Sequence, residues 1–185
     1  DFTGRKVIRL IQEDIPYYAM HTNYDILGMA DLSAEYIGIS QTSVLSVTED
    51  GLDGTQGFGR AGNLPKEMSL GEYAGFIKTS LKLKDVRVYG DLNMPVKRAA
   101  VCTGSGKSMI SDALAAGADV YVTGDIDHHS GIDALQAGLA VIDAGHYGTE
   151  YIFMDAMKKR IQEVFDGLKV TCAKVQCPYT LMADL

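Results

Sequence analysis

Cysteine is scarce in this sequence. Cys102, Cys172 and Cys177 are odd in number, and the Cys172/Cys177 spacing does not fit a zinc knuckle, so no disulfide or thiolate framework is expected. They read as small core residues in a reducing compartment. Basic residues are also in deficit, 17 Lys and Arg against 24 Asp and Glu, for a net charge of -7. Without a local basic patch, that balance argues against nucleic acid and anionic membrane as partners. No apolar run approaches the roughly 20 residues that span a bilayer, and the opening Asp-Phe-Thr-Gly-Arg-Lys lacks the apolar region of a signal peptide. A cytoplasmic protein acting on a small-molecule ligand is the expectation. The remaining composition, 46% hydrophobic and 22% charged over 185 residues, excludes disordered, collagenous and fibrous classes and suffices for one sizeable core or two small ones. The chain opens on Asp1 in a polar turn leading into a helix, which suggests that an upstream segment is absent.

Helical spacing of Val7, Ile8, Leu10 and Ile11 predicts an amphipathic helix over about 4–14, with Thr3 as its N-cap. Ile15 to Met20 reads as a short buried strand, followed by the polar cluster His21 to Asp25, a helix over Met29 to Tyr36 and a strand over Val44 to Thr48. Gly57-Phe58-Gly59-Arg60-Ala61-Gly62 formally matches a dinucleotide-binding fingerprint. Its context rejects that reading, because the fingerprint needs a strand before it and a helix opening on it. Ser69-Leu70-Gly71-Glu72 is a capping box opening a helix to about Leu81, and Val86 to Tyr89 is a strand. A turn near Asn93 to Pro95 suggests a division into residues 1–92 and 93–185. Beyond it, strands Val96 to Cys102, Val120 to Thr123 and Ala140 to Asp143 alternate with helical segments. That rhythm predicts a parallel α/β sheet whose post-strand turns gather at one edge, where ligands bind.

Chemistry-bearing residues cluster in those turns. His21, His128, His129 and His146 each follow a predicted strand, and three have a carboxylate four positions later: His21/Asp25, His129/Asp133 and His146/Glu150. This exceeds what 24 acidic positions in 185 would give by chance. An imidazole and a carboxylate one helical turn apart share a face, about 5–6 Å between Cβ atoms, and can hold one divalent ion or two neighbouring ones. His146/Glu150 is the best case, with Asp143 as a candidate partner behind His146. The bland alternative has Glu150 complementing a helix dipole and His146 on the surface. Thr103 to Ser108 ends in Gly-Lys-Ser, yet the P-loop glycine would fall at Val101. A short backbone nest for an oxyanion survives, or simply a tight turn.

Taken in order, His21-Thr22-Asn23-Tyr24-Asp25, Gly57 to Pro65, Gly104-Ser105-Gly106, Thr123-Gly124-Asp125 and Asp143-Ala144-Gly145-His146-Tyr147-Gly148-Thr149-Glu150 resemble the GTP cyclohydrolase I type 2 homolog family, the Nif-three-like proteins. The resemblance covers nearly the whole chain. It implies an α/β fold with mixed to parallel sheets flanked by helices, two-lobed and here lacking its N-terminal portion. It also implies a pair of divalent metal ions, zinc, iron or manganese, and a toroidal hexamer built from dimers. Asp25, His146 and Glu150 are the metal ligands it implies. The family's His-His-Pro motif is missing here, and His128-His129 does not replace it, since no proline follows. The resemblance therefore implies a longer protein of which this chain is roughly the C-terminal two-thirds. Two functions follow: a metal-dependent hydrolase of a small, nucleotide-like molecule, with His21 or His129 as proton shuttle, or a metal-binding adaptor or metal-handling protein without turnover.

Overall fold

The computed structural model describes residues 1–52 and 54–180. In chain order the elements are helix α1 (Phe2–Gln12), a single turn α2 (Thr22–Tyr24) running into a π-helical turn (Asp25–Met29), α3 (Ala30–Tyr36), strands β1 (Ser40–Gly51) and β2 (Gly54–Ser69), and α4 (Leu70–Ser80). There follow β3 (Arg87–Tyr89), β4 (Pro95–Ser105), a 3-10 turn (Lys107–Met109), α5 (Ile110–Ala115), β5 (Val120–Gly124), α6 (His128–Gln136), β6 (Ala140–Asp143), α7 (His146–Glu150) and α8 (Phe153–Val164).

All six strands form one sheet in the order β1-β2-β4-β5-β6-β3. Its centre is parallel, β4 to β5 to β6, as the strand-turn-helix rhythm requires; β1, β2 and β3 join antiparallel. Strands from both 1–92 and 93–185 hydrogen-bond within it. β5 and β6 are buried at every position, which is why they read as unbroken apolar runs rather than alternations. Their side chains divide between two cores. Val120, Val122 and Ile142 pack with Ile37, Leu70, Tyr73 and Ile77 from α3, α4 and their flanks, while Tyr121 and Val141 pack with Ala113, Ala134 and Leu139 from the α5 and α6 side.

The capping box at α4 is formed in full: Glu72 N–H donates to Ser69 Oγ at 3.2 Å, and Ser69 N–H donates to the Glu72 carboxylate at 2.8 Å. Ser69→Ala should cost about 1 kcal/mol, visible as a lower denaturation midpoint with unchanged slope. Asp127 caps α6 through its side chain alone, accepting from Ser130 N–H at 3.0 Å. Hydrogen bonds from Ser69 hold Glu72 below its ordinary 4.5, and those from Ser130 hold Asp127 down from 3.8 to about 2. Both carboxylates are therefore depressed in the folded chain. Their stabilisation is present above those ordinary values and is lost as pH falls toward 2. Asp127→Ala should lower the melting temperature at pH 7 and make progressively less difference as the buffer is acidified.

Two local expectations differ, and a third holds. α1 is capped by Asp1, whose carboxylate accepts from Gly4 N–H at 2.6 Å, rather than by Thr3, because the helix begins two residues earlier. Ile15 to Met20 is not a buried strand; Ile15, Tyr17 and Tyr18 are exposed, Pro16 has no N–H to give a ladder, and no described strand lies beside it. The glycine run Gly57 to Gly62 lies inside β2 between β1 and β4, with no helix opening on it, as the rejection of a dinucleotide site requires.

Candidate functional site

The register of the parallel strands sets Ser105 beside Gly124 and Thr123 beside Asp143, so the three following turns meet at one edge. Backbone atoms pack closely there: a Cβ at Gly124 would lie 2.5 Å from Gly145 C and His146 N and 2.8 Å from Gly104 O. Only glycine allows that approach. A cavity of about 280 Å³ opens at this edge, lined by His21, Asp25, His146 and Glu150 together with Phe58 and Gly59 of β2, the end of β4 from Cys102 to Ser105, and Gly106.

Asp25 enters the cavity at the start of the π-helical turn, a widened turn of the kind that often marks functional positions. Burial raises its carboxyl above the ordinary carboxylate range, and the nearby His21 opposes that shift. His146 opens α7 after Gly145, whose φ of +73° turns the chain from β6 into the helix. Its Nδ1 lies 2.7 Å from Asp125 Oδ2 and its Nε2 lies 3.2 Å from Glu150 Oε1. The hydrogen bond to Asp125 raises the His146 pKa, with the Glu150 charge adding to it and burial opposing. Gly104 forms a cradle behind this pair, since a Cβ there would sit 2.7 Å from Glu150 Oε1 and 3.4 Å from His146 Nε2.

Four of the five expected site residues, His21, Asp25, His146 and Glu150, thus share one cavity, while His129 does not line it. His129 is exposed on α6, its ring edge-on to His128 at 5.4 Å. The partner behind His146 is Asp125 rather than Asp143. Asp143 is buried and accepts from Gly145 N–H at 3.0 Å and Ile126 N–H at 3.2 Å, so it fixes both turns without reaching the ring. Asp125 escaped the sequence reading because it belongs to no periodic pair. Its signal is the Thr-Gly-Asp turn itself, where Asp125 takes φ +56°, a conformation Asp tolerates better than most residues. The glycine nest is largely satisfied internally: Gly104 N–H donates to Thr149 Oγ1 at 2.9 Å and Gly106 N–H to Thr123 Oγ1 at 3.1 Å. Cys102 also borders the cavity, and burial pushes its thiol up to about 11, so it presents no thiolate at neutral pH.

Among the described residues, no group of three or more His, Cys, Asp or Glu side chains is already arranged to hold a metal ion. The donor chemistry fits one nevertheless. Two carboxylates and two imidazoles face one cavity, and a carboxylate on Nδ1 directs Nε2 of His146 inward, as it does for metal-binding histidines generally.

Fold and site together define an α/β protein with an imidazole-carboxylate cavity at the carboxyl edge of its parallel strands. The sequence matches the Duf34/NIF3 (NGG1p interacting factor 3) family over residues 1–178. It is 36% identical over 166 residues to a GTP cyclohydrolase 1 type 2 homolog of Clostridium perfringens, covering 89% of this chain and 63% of that one. A protein of the same description from Streptococcus pneumoniae is 41% identical over 154 residues, covering 80% and 56%. This chain therefore spans less than two thirds of either relative's length. A solved structure of a Bacillus cereus protein related to NIF3 superposes with a TM-score of 0.89 over 97% of this chain and 77% of that one, a likeness of fold at 24% identity. The chain belongs to the Duf34/NIF3 family.

Proposed function

We propose that the cavity binds divalent metal and that the protein hydrolyses a small, nucleotide-like molecule there. The observation that supports this reading most is the Asp125–His146–Glu150 relay beside Asp25 and His21. Asp25, His146 and Glu150 would hold the metal, a pair of ions being the expected complement, with zinc, iron or manganese all compatible with this oxygen and nitrogen donor set. The chemistry supplied by ions held there is Lewis acidity, which lowers the pKa of water and polarises the bond attacked.

The chain's own residues do the rest. Asp125 accepts a hydrogen bond from His146 Nδ1–H, which fixes the ring plane and turns Nε2 toward Glu150, where the two atoms would share a metal ion. Gly104 keeps the wall behind Glu150 clear. His21, on the cavity lining and of the side-chain type that exchanges protons near neutral pH, moves the proton between water and the leaving group. Phe58 contributes an apolar wall against which a planar base would rest. A toroidal hexamer of dimers remains the expected assembly.

The purified protein should show metal-dependent turnover against a panel of nucleotides, phosphoesters and cyclic amides, and His21→Ala should cut the rate about 10²–10⁴-fold with metal content unchanged. Full metal loading without turnover on any member of the panel would sink the hydrolase reading.

A further inference from the structure

A second cavity, of about 760 Å³, borders α7 through Tyr147 and Gly148, whereas the first borders it through His146 and Glu150. Its size is that of pockets holding small organic ligands, and its lining is chemically distinctive. Lys82, Lys84 and Arg87 supply three cations, and Tyr147 and Tyr179 supply two aromatic rings. Asp85 and Asp143 also border it, but Asp143 is already engaged. It sits directly opposite Arg87 in the β3–β6 ladder, its side chain is 3% exposed, and one of its oxygens lies 3.2 Å from Arg87 Nη2. Arg87 Nη1 lies 3.3 Å from both Tyr89 Oη and the Ile126 carbonyl. The guanidinium is thus held through its terminal nitrogens by three acceptors, two on Nη1 and one on Nη2, while its side chain remains 63% exposed and Nε and the second Nη2 hydrogen are left to solvent. A planar cation held in place with donors still facing solvent is prepared for an anion.

We propose that this second cavity binds a small aromatic anion, a planar ring carrying a phosphate or a carboxylate, with Arg87 and the two lysines receiving the charge and Tyr147 and Tyr179 the ring. The site stands independently of any ion in the first cavity. It is nevertheless linked to it physically. Asp143, which Arg87 grips, accepts from Ile126 N–H and Gly145 N–H, and these are the immediate neighbours of Asp125 and His146. An anion that draws on Arg87 therefore perturbs the two turns that set the Asp125–His146 pair. Occupancy of the second cavity should be felt in the first.

The test is a titration of the full chain, followed by NMR, with phenyl phosphate and benzoate as probes and with inorganic phosphate and benzyl alcohol as single-feature controls. The expected result is binding of phenyl phosphate, benzoate or both at least about tenfold tighter than either control, with shifts in the Tyr147 and Tyr179 rings and in the Ile126 and Gly145 amides. Which probe binds tighter assigns the anion as phosphate or carboxylate. Lys82→Glu/Lys84→Glu, two exposed changes that leave Asp143 untouched, should weaken that binding about tenfold or more, and Arg87→Gln should do the same. Equal affinity for probes and controls, shifts confined to the Gly104 and His146 region, or unchanged binding by the charge-reversed variant would each overturn the proposal.

Discussion

Gly124→Ala is expected to dismantle the candidate site. The added methyl would meet Gly145 C and His146 N at 2.5 Å and Gly104 O at 2.8 Å, all of them backbone atoms that no rotamer change can move aside. Overpacking of this kind costs about 1–3 kcal/mol, and at roughly 2–4 °C per kcal/mol for a chain of this size the melting temperature should fall by several degrees. The functional loss should exceed the loss of stability, because the atoms displaced are the backbone of the residues that carry His146 and cradle Glu150. Metal uptake in the still-folded variant should be abolished. Wild-type uptake by a folded Gly124→Ala chain would show that the close approach of the three turns is incidental to binding.

Asp125→Asn should weaken metal binding about 10–100-fold, the usual effect of removing the carboxylate behind a metal-bound histidine. Asparagine tolerates the φ of +56° and keeps a hydrogen-bond acceptor near Nδ1, so the backbone and ring orientation are preserved while the charge is lost. The pKa of His146 should drop at the same time, since the hydrogen bond to Asp125 is the main cause of its rise. A competitive chelator titration measures the first effect and the imidazole proton shifts of the ion-free chain the second. An unchanged affinity with a lowered His146 pKa would separate Asp125 from the metal and leave it as a surface partner.

What the sequence could carry and what it could not have physical reasons. The parallel centre was legible because β5 and β6, buried on both faces, are short unbroken apolar runs, each followed by a glycine-bearing turn. The α4 cap was legible because Ser69 and Glu72 satisfy each other within four residues. Long-range pairing was not: β2 is glycine-rich because it is pressed between two antiparallel neighbours, which a local reading cannot distinguish from a loop. Ile15 to Met20 has the apolar content of a strand, but strand formation depends on a neighbour elsewhere in the chain. In the site, His146/Glu150 and His21/Asp25 show themselves through helical spacing. Their meeting in one cavity depends on β-sheet register, and the choice of Asp125 over Asp143 depends on which carboxylate the backbone buries. Asp143 was drawn inward by two N–H groups and Arg87, while Asp125 was left at the surface of the turn, next to the ring.

The central claim is that Asp25, His146 and Glu150 hold metal in the cavity at the carboxyl edge of the parallel strands. Elemental analysis of the purified chain, after dialysis against zinc, iron or manganese, tests it most directly when run beside Asp25→Ala and His146→Ala variants with native circular dichroism. The account predicts bound metal in the wild type and its loss in both variants. Metal content unchanged by either substitution, or absent from the wild-type chain, would contradict it.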